Sequence, residues 1–86
     1  MRILFDRRRR IETFRKGAAE RTYAKFATGL VLIWSAQRRA WLMPDRLSYT
    51  EKRDKAGRYT LEQAFAAAFH RSRSERIWLE LIEAEA

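Results

Sequence analysis

Arg7, Arg8, Arg9 and Arg10, with Arg2, Arg15 and Lys16 nearby, form the densest concentration of reactive charge in this chain. On a helix, four consecutive arginines point around the whole cylinder, so they cannot share one solvated face. Their mutual repulsion calls for counter-charge. Guanidinium forks grip phosphate oxygens in pairs and lose less hydration than lysine in doing so. A phosphate backbone is the natural complement, with binding that weakens steeply as salt rises. The rival readings are an acidic protein patch and a merely solvated, arginine-rich terminus.

Two further basic stretches fit the same partner. Lys52, Arg53, Lys55 and Arg58 lie in a polar segment, partly neutralised by Glu51 and Asp54. Arg71, Arg73 and Arg76 surround Ser72 and Ser74, and backbone N–H groups at a helix start there would add to an anion site. Trp41, preceded by Arg38 and Arg39 and followed by Pro44, is the candidate interface aromatic. Trp34 and Trp78, spaced among Leu and Ile, read as core.

Catalytic chemistry finds no foothold. No nucleophile–base pair or carboxylate dyad stands out, so no catalytic residue is assigned and the chain reads as a non-enzyme. With no cysteine and one histidine, His70, no metal or cofactor is expected. The net charge of +8 is a gradient: the chain is strongly basic through Met43, mildly so to Arg76, and acidic beyond, where Glu80, Glu83 and Glu85 lie. The expected partner is therefore nucleic acid or a nucleoprotein assembly. The first alternative is an inhibitor or adaptor of the phage or mobile-element type, seated on a partner's acidic or nucleic-acid-binding surface. The second is a minor structural subunit of a larger complex.

The longest uncharged run, residues 26–37, is too short to span a bilayer, which takes about 20 apolar residues. The opening residues do not read as a signal peptide, and the missing cysteines fit a cytoplasmic protein.

The elements that must position these groups read as helical. With 86 residues the chain makes one domain, 1–86. Tyr23, Phe26, Leu30, Ile33, Trp34, Gln37 and Trp41 recur at steps of three and four, which predicts a core helix over 18–43. The β-branched run at 29–34 permits a buried strand, but its Ala-, Lys- and Arg-containing flanks favour carrying the helix through. Ile11, Phe14 and Ala18 form a rotated stripe, so 1–17 is a separate arginine-rich arm or helix, broken near Gly17. Pro44 ends the core helix, and 44–59 is a polar connection or a short hairpin closing around Asp54 to Gly57. Thr60 and Gln63 form a capping box, and Ser72 and Glu75 a second, predicting a helical pair over 60–86. The expected fold is an all-α bundle of three to four helices.

Overall fold

A computed structural model describes residues 2–7, 24–26 and 28–82. In place of a helical bundle, the described residues form a five-stranded antiparallel sheet with one long helix. The strands are β1 (Arg2–Leu4), β2 (Leu30–Ser35), β3 (Ala40–Leu42), β4 (Tyr49–Thr50) and β5 (Ile77–Ile82). Their order across the sheet is β1-β5-β2-β3-β4. A 3-10 turn, Arg53–Lys55, and the helix α1, Leu61–Arg71, lie between β4 and β5.

The all-α expectation fails because both faces of the central strand are apolar. In β2, Val31, Ile33 and Ser35 are buried against the helical layer, while Leu30, Leu32 and Trp34 point the other way. A strand covered on both sides reads as one continuous hydrophobic run, and the period of two disappears. Of the expected 18–43 helix, residues 18–23 and 27 lie outside the described residues, while 24–26 and 28 are helical. The N–H of Gly29 donates to the Lys25 carbonyl at 2.9 Å, and beyond it the chain is a strand. A side chain at Gly29 would meet that carbonyl at 2.8 Å, so glycine suits the position where the chain passes from the helix into β2. Residues 36–39 close a hairpin between β2 and β3, with Arg39 in the left-handed region at φ 51°.

The C-terminal helical pair is likewise corrected. Ser72 ends α1 and does not open a second helix, and Ile77–Ile82 is a strand whose Ile77, Leu79 and Leu81 alternate inward. The connection is not the loop expected either. Its hairpin closes through residues 43–48 to pair Leu42 with Tyr49, and Tyr59 bridges to Val31. The Thr60 capping box is present in full, with Thr60 accepting from the Gln63 N–H and the Gln63 side chain accepting in return. Of the remaining expectations, the rest of the 1–17 arm lies outside the described residues.

α1 packs Leu61, Ala64, Phe65 and Ala68 onto one face of the sheet, where they join Phe5, Phe26, Ile33, Ile77 and Leu79. The two alanines let the helix approach closely, and Phe5 meets Phe65 edge to face at 5.3 Å. Burying each large apolar side chain contributes about 1.5–3 kcal/mol. A smaller cluster of Leu32, Trp41 and Ala56 covers part of the opposite face. No helix among the described residues is long and apolar enough to cross a membrane.

Candidate anion-binding groove

At one end of the sheet three segments are stitched together by backbone groups. The N–H of Phe5 donates to the Ile77 carbonyl at 2.8 Å, and that of Ala36 to the Arg76 carbonyl at 2.9 Å. The Arg76 N–H in turn donates to Gln37 Oε1 at 2.5 Å. These bonds bring the residues that follow β1, the β2–β3 loop and the turn after α1 to one place. Between them lies a groove of about 860 Å³, lined by residues 4–7, Gln37, Phe69 and residues 72–76.

Three arginines reach it: Arg7, Arg73 and Arg76. The Arg7 guanidinium sits 4.8 Å over the ring of Phe69, which is 45% exposed. Two carboxylates also line the groove. Glu75 is turned inward: its Oε1 accepts from Ser35 Oγ at 2.6 Å, Arg38 Nε at 3.1 Å and the Tyr49 hydroxyl at 3.2 Å. Asp6 is engaged in interactions of its own. The ion pairs among the described residues are Arg2–Glu80, Arg38–Glu75 and Arg53–Glu80, so Arg7, Arg73 and Arg76 are in none of them.

The remaining candidates divide. Arg71 does not join its neighbours. Its Nε donates to the Tyr49 hydroxyl at 2.9 Å and a terminal nitrogen donates to the Arg46 carbonyl, so it braces α1 against β4. Burial pushes the Tyr49 phenol above its ordinary value, against the pull of the Arg71 charge. Lys52, Arg53, Lys55 and Arg58 are exposed along the β4–α1 connection, with Arg53 holding Glu80 at 3.0 Å. Trp41 is 6% exposed and packs on Trp34 at 4.7 Å. Trp34 and Trp78 are only half-buried. Arg8, Arg9, Arg10, Arg15 and Lys16 lie outside the described residues. Among the described residues no group of three His, Cys, Asp or Glu side chains is placed to hold a metal.

Phe69 was hidden by its spacing of four from Phe65, which reads as one core stripe. In the structure Phe65 is buried, while Phe69 in the last turn of α1 is exposed beneath Arg7. No feature of the letters pairs Arg7 with Arg73 and Arg76, because that meeting depends on β1 pairing with β5. No protein-family model, curated protein or solved structure matches the chain.

Proposed function

We propose that the chain is a small, non-catalytic, cytoplasmic protein that binds nucleic acid, or a nucleoprotein assembly, through arginine–phosphate contacts at this groove. One observation carries the reading: Arg7 and the pair Arg73 and Arg76, from opposite ends of the sequence, line one cleft while Glu75 is turned inward to other partners. Three guanidiniums lining one cleft favour an anion there, and a phosphate accepts from such forks in pairs. The net charge of +8 would steer an anionic polymer toward the protein at long range.

Fluorescence anisotropy of a labelled mixed-sequence oligonucleotide, titrated with salt, tests it. Each phosphate neutralised contributes about 0.7–0.9 to the log–log slope. Changing Arg7, Arg73 and Arg76 together to Gln is expected to lower the slope by about two while leaving the far-ultraviolet circular dichroism unchanged. Undetectable binding at about 50 mM salt removes the proposal.

A protein partner with an acidic surface is the second reading. Phe69, exposed under the Arg7 guanidinium, favours it, since aromatic and arginine side chains anchor protein interfaces.

A further inference from the structure

The sheet face turned away from α1 carries a row of side chains that the strand register sets in line. Leu4 lies opposite Trp78, Trp78 opposite Trp34, and Trp34 opposite Trp41, so three indoles stand on three neighbouring strands. The adjoining row holds Arg2 opposite Glu80. Glu80 accepts from Arg2 at 3.2 Å and from Arg53 at 3.0 Å. The Arg2 guanidinium also lies over the rings of Trp34 and Trp41, at 5.9 and 5.6 Å from their centroids.

We infer that this face is a stacking platform for unpaired bases of a single-stranded nucleic acid, an inference that rests on the nucleic-acid reading above and names its substrate class. The indoles of Trp34 and Trp78 are only half-buried, which leaves aromatic surface on which a base can stack. Arg2 already lies beside these rings as a cation while held by Glu80, so a strand whose base contacts the indoles meets a positive charge next to them for its phosphate.

Charge decides between this occupant and an apolar protein surface. The Arg2–Glu80–Arg53 triad carries one net positive charge, so an apolar partner would bury a cation with no counter-charge of its own, which is costly. A nucleic acid brings acceptors for both arginines and exocyclic amines for Glu80. Duplexes keep their base faces stacked inside the helix, so only an unpaired strand can use the indoles.

The chain's three tryptophans all stand on this face, so indole emission reports it alone. The full-length protein is titrated with three probes of equal length: a mixed-sequence single strand, its abasic counterpart with the same phosphates, and the duplex. The expected result is indole quenching by the single strand only, with about tenfold tighter binding than the abasic strand. Trp34→Leu should remove most of that advantage without changing abasic binding, and Trp34→Phe should restore part of it. Equal binding of the single and abasic strands without quenching overturns the platform and leaves the phosphate reading standing. Binding of none of the probes overturns both. A dimer in sedimentation that Trp34→Leu dissolves gives the face to a second copy and likewise overturns the platform. The comparison of probes needs no variant, so it decides even if a substitution prevents folding.

Discussion

Ser35 Oγ donates to Glu75 Oε1 at 2.6 Å, joining the fully buried end of β2 to the turn that leads into β5. Because Glu75 also accepts from Arg38 and Tyr49, this one carboxylate ties the β2–β3 loop, β4 and the α1–β5 turn together. It thereby sets the backbone from which Arg73 and Arg76 project into the groove.

Removing the donor should be costly. Ser35→Ala leaves a carboxylate that is only 10% exposed with one hydrogen bond fewer. The expected loss is about 1.5–3 kcal/mol, the range for one hydrogen bond to a charged group, with Arg38 and Tyr49 still donating to the same oxygen. Thermal unfolding should show Tm lower by at least about 4 °C, taking the usual dependence for a domain this small. Tyr49→Phe removes a second donor to the same carboxylate, and the double variant should depart from additivity. Additive losses would mean that the two hydroxyls do not act through Glu75.

Gly57 is held where no side chain fits. Its N–H donates to the Leu42 carbonyl at 2.8 Å. An added Cβ would lie 2.7 Å from Tyr59 Cε2 and 2.9 Å from the Met43 carbonyl carbon. Tyr59 is 3% exposed and its hydroxyl donates to the Met43 carbonyl, so neither neighbour can give way freely. Gly57→Ala should therefore destabilise by about 1–3 kcal/mol through overpacking. Urea unfolding with an unchanged m-value would check it, and wild-type stability would show that the connection shifts to make room.

What the letters reveal here follows from the range over which each signal acts. The Thr60 and Gln63 cap and the Leu61, Phe65 stripe of α1 are local, and both are legible. The strands are not. β2 is apolar on both faces and sits between good helix formers, so its pattern matches a helical wheel as well as a sheet. β5 does alternate, through Ile77, Leu79 and Leu81, but Ser72 and Glu75 imitate a helix start just before it. In the fold Ser72 caps the end of α1, its Oγ donating to the Phe69 carbonyl at 3.1 Å, and Glu75 faces the Ser35 hydroxyl. The candidate site is legible by residue type and hidden by geometry. Arg7 and Arg73 can each be singled out as anion-binding, yet their meeting depends on Arg2 pairing with Glu80 across nearly the whole chain. The row of indoles is lost altogether once Trp34 and Trp78 are placed on helices.

Arg39 offers a gain instead of a loss. Its φ of 51° puts a side chain in the left-handed region, which is unfavourable for any residue with a Cβ by about 1–2 kcal/mol. It is exposed at the end of the β2–β3 loop and is not part of the groove lining. Arg39→Gly should raise stability by up to about 1 kcal/mol, the relief of strain being partly offset by the added freedom of the unfolded chain. Arg39→Ala should not, since alanine keeps the Cβ. Equal Tm values for the two variants would refute backbone strain as the cause.

Glu80 should make folding sensitive to acid. Burial opposes its ionisation, but hydrogen bonds from Arg53 and Arg2, with their charges, outweigh that and hold the carboxyl below its ordinary value. A group whose folded value is depressed contributes fully above its unfolded value, about 4.3 for glutamate, and loses the contribution as pH falls through the folded one. Urea midpoints should therefore be constant above about pH 5 and decline below about pH 4. Asp45 declines in the same window, because hydrogen bonds from the Ser48 hydroxyl and from the N–H groups of Ser48 and Leu47 lower its value too. The Glu80 share is isolated by Glu80→Gln, whose acid decline should be shallower than that of the wild type. Both arginines are well exposed, at 44% and 59%, so the share should not exceed about 1 kcal/mol. Parallel acid declines for the two proteins would mean that Arg2 and Arg53 hold Glu80 without favouring its ionised form.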